Sequence, residues 1–367
     1  MSGRFVRPAM VIDVRTKYFP FEYGFLEGPG YYDIPPLRVI FHELTHFWQT
    51  VSMNFLSNVA FTEWRTLLKY EAKQLGGEIS DLSKELHTAD HTAGFSANDL
   101  LETLSRYWDI HTLGPQKILE WQGLNTDYDL AKRFDLIRSP TETISPYAAK
   151  EFDAAMLAAT YAEPYRLIHE KLKSFHAAVA FPILAYFAFQ SPHPVRLYHA
   201  AVASAGNLLS SLNTRSIHDA WREVFAKLAK HAFQVGAQVE SPIAIPHSVL
   251  PTLAMRSGGS TDNTILNHYG KILSILDDVS GPHQLDFYFA LPGDPESRGL
   301  LIGQLLPPVV RFVDGKWTMQ SLLQQKLESN VTKGTMHHEQ LANAAEDIDR
   351  RYREFQLAAL LSRKSAS

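Results

Sequence analysis

The chain has no cysteine among its 367 residues. That absence excludes a disulfide framework, thiolate zinc fingers, iron–sulfur clusters and a cysteine nucleophile. Any metal site must therefore be built from His, Asp, Glu or backbone oxygen. A long apolar run is missing too. The longest is Ala177 to Phe189 (AAVAFPILAYFAF), with Pro182 inside it. A membrane-spanning helix needs about 20 such residues, so this stretch reads as a buried helix kinked at the proline. The opening MSGRFVRPAMVIDVRTKYF is interrupted by Asp13 and lacks the apolar core of a signal peptide. A cytoplasmic setting is expected. No excess of one charge is present either: 35 Lys+Arg against 39 Asp+Glu leave −4. That balance argues against a protein whose main task is to coat nucleic acid. Gly258-Gly259-Ser260 lacks the lysine and the strand-to-helix setting of a phosphate loop, and no Gly-x-Ser-x-Gly elbow occurs.

What is present suffices for a sizeable core, with 45% hydrophobic and 11% aromatic residues. The length suits two domains or one large one. Residues 1–35 mix β-formers with Gly and Pro and predict short strands and turns. From Pro36 a helical period persists to about residue 235, broken at Gly76-Gly77, Gly94, Gly114-Pro115, Ser139-Pro140 and Ser191-Pro192. Residues 241–264 read as a long loop. LDFYFALPGD and PPVVRFVDGKW are β-prone, and Asp314-Gly315 in the second predicts a hairpin turn. Residues 318–364 return to helical spacing with mixed charge, as a solvated pair of terminal helices would. The expected fold class is mainly α, with minor β at the N-terminal flank and in the C-terminal third. Residues 1–235 form the expected core, and 236–367 are either a separate unit or part of the same domain.

Chemistry concentrates in residues 42–49, HELTHFWQ. Asp33-Ile34-Pro35-Pro36 just upstream is a helix-entry signal, since the first turn tolerates proline's missing N–H. Leu37, Ile40, Phe41, Leu44, Phe47, Trp48 and Val51 then recur at helical spacing as one apolar stripe. At about 100° per residue, His42 and His46 lie roughly 160° to either side of the stripe's centre and about 40° from each other. Both imidazoles thus leave the same face one turn apart, as two ligands of one tetrahedral metal must. Gln49 shares that face, and Glu43 flanks the pair. Imidazole and carboxylate donors suit Zn²⁺, with three protein ligands and an open fourth position in a catalytic site. Glu43 would then act as general base toward a water at that position.

HELTHFWQ on a helix resembles the active-site helix of the zincin superfamily of zinc metallopeptidases. The resemblance covers about 30 residues around the motif. It implies a zincin-like helical core, His42 and His46 as zinc ligands, Glu43 as general base, and a peptide or protein substrate. The metzincin extension would need Gly at position 49 and His at position 52. This chain has Gln49 and Ser52, which leaves a gluzincin-like or aspzincin-like arrangement with a later acidic ligand.

Several acids compete for that third place. Glu63 has a spacing close to that of gluzincins, although Leu67 stands where those carry an acidic partner. Glu71 is another option. Glu102, in LLETLSRYWD, lies on a helix similar to one that follows the zinc helix in several bacterial His-Glu-x-x-His-x-x-Gln proteins. Ser105 shares its neighbouring face, where small side chains permit close helix approach. The competing reading makes Glu102 a solvated partner of Arg106 four residues on. Glu163, Glu170 or an Asp complete the field. His87-Thr-Ala-Asp-His91 pairs two histidines in polar surroundings and reads as a solvated helix end. Met336-His337-His338-Glu339 reads as surface. Tyr107, Tyr161, Tyr165 and His169 are candidate oxyanion donors. The expectation is a zinc metallopeptidase with His42, His46 and Glu102 as ligands. Its rivals are a zinc hydrolase of a non-peptide substrate and a non-catalytic helical binding protein.

Overall fold

The computed structural model describes residues 3–9, 11–15, 17, 39, 42, 43, 45–47, 49, 50, 53–71, 81–113, 146–172, 174–209, 227, 230, 309–315, 317, 318 and 338–366. The expected helix entry at Asp33–Pro36, the loop over 241–264 and LDFYFALPGD lie outside them, as do the breaks at Gly76-Gly77, Gly114-Pro115 and Ser139-Pro140. Within them the chain is mostly helical with one small sheet.

The sheet joins sequence-distant segments. β1 (Gly3–Val6) pairs antiparallel with β2 (Val11–Val14) across a 3-10 turn at Arg7–Ala9. β2 pairs parallel with β3 (Val309–Phe312), and β3 pairs antiparallel with β4 (Trp317–Thr318). The strand order is β1-β2-β3-β4. The hairpin at Asp314-Gly315 is as expected: the Gly315 N–H donates to the Phe312 carbonyl at 3.1 Å. Gly315 takes φ +78°, the left-handed value that glycine adopts without a Cβ clash.

Strand alternation sorts the side chains. Phe5, Ile12 and Val310 are aligned across three strands on one face, as are Gly3, Val14 and Phe312. Ile12, Val14, Val310 and Phe312 are buried there. Arg4, Asp13 and Arg311 form the matching row on the opposite face. The C-terminal helix, His338–Ala366, packs on that polar row. Its Asp349 accepts from the Arg311 guanidinium at 2.5 Å, while Arg311 Nε donates to Asp13 at 2.8 Å. Arg353 reaches both carboxylates at 2.7 and 2.8 Å, and Arg4 lies 3.4 and 3.5 Å from them. Three arginines therefore share two carboxylates. Asp349 is only 2% exposed, so its charge is tolerable only with these partners.

The helices are α1 (Asn54–Glu71), α2 (Asp81–His87), α3 (Ala97–Leu113), α4 (Pro146–Leu157), α5 (Glu163–Leu172), α6 (Ser174–Ala188), α7 (Pro194–Leu209) and α8 (His338–Ala366). α6 is the apolar stretch singled out above, running through Pro182, and it packs against α3, α4, α5 and α7. Its residues from Ala180 to Ala188 are all buried, which explains why the segment has no polar face. Tyr107, Phe152, Tyr165, Phe181 and Tyr198 meet around it with ring centroids 4.9 to 6.2 Å apart. No helix among the described residues is long and apolar enough to cross a membrane.

The charge network on α8 is testable. Asp349→Ala should strand Arg311 beside a single carboxylate and lower unfolding stability by about 3 kcal/mol. Urea unfolding should show this as a lower midpoint with unchanged slope.

Candidate metal centre

Helical positions 39, 42, 43, 45–47, 49 and 50 belong to the motif helix. The Met53 N–H donates to the Gln49 carbonyl at 3.0 Å and carries the chain on toward α1. One side of the motif helix lies against β1. Phe47 is fully buried and meets Phe5 edge-to-face, with centroids 6.2 Å apart. The other side carries His42 and His46, whose rings stand at 89° with centroids 4.8 Å apart.

α3 delivers the third side chain. Ser96 and Asp99 form a capping box: the Asp99 carboxylate accepts from the Ser96 N–H at 2.8 Å, and Ser96 Oγ accepts from the Asp99 N–H at 3.1 Å. The helix start is thereby fixed, and with it the phase of everything downstream. Leu100, Leu101 and Leu104 are buried, which turns Glu102 and Ser105 toward the motif helix. Glu102 Oε2 lies 3.2 Å from His42 Nε2, and its Oε1 lies 3.6 Å from His46 Nε2. One donor atom from each of these three residues falls within 4.8 Å of the others, the sole such group of potential metal ligands among the described residues. Donors about 2.0 to 2.1 Å from a tetrahedral zinc are roughly 3.3 Å apart, so the two imidazole–carboxylate separations suit a shared ion.

The surroundings orient His46. Its Nδ1 lies 2.8 Å from Gln49 Oε1 and 3.1 Å from Ser105 Oγ, and the Ser105 hydroxyl donates to Gln49 Oε1 at 3.0 Å. A proton on His46 Nδ1, donated to the Gln49 carbonyl oxygen, would leave the Nε2 lone pair for a metal. That is the tautomer a metal ligand needs. Burial alone would raise the Glu102 pKa. The charge of His46 and the hydrogen bonds from both histidines outweigh it and hold this carboxyl well below the usual carboxylate range.

Glu43 has a different environment. Burial pushes its carboxyl pKa up, and the nearby Glu102 charge adds to that, while His46, His42 and the Phe5 N–H that donates to it act in the opposite direction. The net shift is upward. β1 approaches Glu43 this closely because residue 3 is glycine. A Cβ there would stand 2.8 Å from Glu43 Cγ and 2.5 Å from Val39 Cγ1.

The structure brings His42, His46 and Glu102 together and sends the competing acids elsewhere. Glu63 lies 3.6 Å from Arg7 and accepts from the Ser83 hydroxyl at 3.2 Å. Glu71 pairs with Arg351 at 2.5 Å. Glu163 pairs with Arg166 on the surface, and Glu170 is exposed. His87 and His91 are exposed at and beyond the end of α2. Met336 and His337 are outside the described residues. Tyr107 is in the aromatic cluster, Tyr161 is 44% exposed, and both Tyr165 and His169 turn to Asp153. Sequence reasoning did not assign Gln49 and Ser105 their orienting role, although Gln49 three residues after His46 on its own face was a usable signal. It missed Gly3 and Phe5 altogether. Their proximity to Glu43 follows from tertiary packing, and no local pattern encodes it.

Removing the orienting contacts should weaken zinc binding without abolishing it. Gln49→Ala and Ser105→Ala are each expected to cost about 10- to 100-fold in zinc affinity, measured by competition with a chromophoric chelator. Comparison with protein-family models, curated proteins and solved structures finds no match for this chain.

Proposed function

We propose that the chain is a zincin-like zinc metallopeptidase that hydrolyses peptide bonds in a cytoplasmic setting. The observation that carries this reading is the convergence of His42, His46 and Glu102 beside a buried glutamate, Glu43, that is not one of the three. His42 and His46 offer neutral nitrogen and Glu102 a carboxylate oxygen, a donor set suited to catalytic zinc. When bound, zinc would supply Lewis acidity for activating water near neutral pH and for polarising a carbonyl.

The chain's own residues supply the remainder. Glu102 stays ionised because of the imidazoles facing it, so it brings negative charge to the centre at neutral pH. Glu43, with its proton affinity raised by burial, is suited to accept a proton from the attacking water and pass it to the leaving amine. Its carboxylate is held from one side by the Phe5 N–H and confined by the close approach of Gly3. Gln49 and Ser105 hold the His46 ring through its Nδ1 side.

Glu43→Gln should leave zinc stoichiometry intact and reduce turnover of a peptide library by about a thousandfold. Gly3→Ala should also retain zinc but lose turnover, because the added methyl displaces Glu43. Simple esters and amides assayed beside the peptides separate peptidase from other hydrolase activity. Unchanged turnover in Glu43→Gln would overturn the catalytic reading.

A further inference from the structure

The face of α3 opposite its buried leucines carries Asp99, Glu102 and Arg106. Four residues advance a helix by about 6 Å and turn it by about 40°, so Arg106 stands one turn beyond Glu102 on nearly the same side. Glu102 does not serve as its partner, because the two Glu102 oxygens lie 3.2 and 3.6 Å from the His42 and His46 rings. Asp99 is engaged at the helix start, where it accepts from the Ser96 N–H and from the Ser96 hydroxyl, each at 2.8 Å. Arg106 Nη1 is shut off from water and has no hydrogen-bond partner. No carboxylate among the described residues pairs with this guanidinium. A charged nitrogen withdrawn from water without an acceptor is costly, and here it sits one turn from a potential metal ligand. The Arg106 side chain as a whole is partly exposed, as are His42 and Glu102, at 22% and 25%. Solvent therefore reaches both the metal centre and the arginine.

We propose that Arg106 takes up a substrate carboxylate one residue beyond the scissile bond, either the peptide's own C-terminus or an acidic side chain. This rests on the peptidase reading above and names the substrate class for it. One residue spans at most about 3.6 Å of extended peptide. A carboxylate one residue beyond a carbonyl at the metal thus falls within the roughly 6 Å between Glu102 and Arg106 along α3. The guanidinium is planar, always charged, and presents paired donors that match a carboxylate. A carboxylate entering beside the exposed part of the side chain brings the acceptor that Arg106 lacks.

Titration calorimetry on zinc-loaded Glu43→Gln, which should bind peptides and turn them over slowly, tests this with three probes. These are benzoyl-Gly-Phe as the free acid, benzoyl-Gly-Phe amide, and benzoyl-Gly-Glu amide. At least one of the two carboxylate peptides should bind about tenfold more tightly than the phenylalanine amide, and which one does so identifies the terminal or side-chain source. Adding Arg106→Gln should erase that preference while leaving zinc content and binding of the phenylalanine amide unchanged. Arg106→Lys, which keeps the charge without the fork, should restore part of it. In urea, Arg106→Gln should unfold at an unchanged or higher midpoint, whereas loss of a structural ion pair would lower it. Equal binding of all three peptides, or equal weakening of all three by Arg106→Gln, would overturn the proposal. The peptidase reading fails separately: a carboxylate preference that depends on Arg106, in a wild-type chain that cleaves no peptide, sustains the carboxylate site and removes the peptidase.

Discussion

A carboxylate withdrawn from water must find positive charge or hydrogen-bond donors, and Glu102 finds them in two imidazoles from another helix. This contact fixes how the motif helix and α3 can pack. His42 and His46 lie one turn apart, so a single carboxylate spans both only if α3 crosses at the right height and phase. The capping box at Ser96 and Asp99 sets that phase, and the buried leucines of α3 set its rotation. Gln49 and Ser105 complete the contact from opposite helices, so the polar residues at this junction recognise one another.

The opposite side of the motif helix rests on β1, and β1 is held by the chain's far end. β3 pairs in parallel with β2, and α8 closes over the polar row with Asp349 and Arg353. Glu43 thus depends on residues some 300 positions away through a short path: its neighbours Gly3 and Phe5, the strand they share, and the arginine–aspartate network behind it. Arg4, Phe5 and Val6 of the same strand also line a cavity beside α1, α2 and α8.

Much of the helical fold was legible from period and punctuation. The apolar stretch over Ala177–Phe189 is a buried helix, Gly94 and Ser191-Pro192 mark breaks between helices, and Asp314-Gly315 turns a hairpin. Each is a local feature with a local cause. The His42–His46 pairing follows from helix geometry, and Glu102 was one of several acids that spacing permitted. Choosing among them required knowing which helix faces the motif helix. Glu63 and Glu71 were the next candidates in sequence after Glu102, yet Arg7 and Arg351 claim them through contacts that no local pattern encodes. For the same reason the parallel pairing of β2 with β3, and the closeness of Gly3 to Glu43, could not be read from the chain.

The central claim is that His42, His46 and Glu102 hold one zinc ion. Elemental analysis of the purified protein after extensive dialysis and zinc reconstitution tests it most directly, with His46→Ala and Glu102→Ala measured alongside. The account predicts about one zinc per wild-type chain, with loss of the tightly bound ion in both variants. A wild-type chain that retains no zinc after reconstitution, or variants that retain it fully, would contradict it.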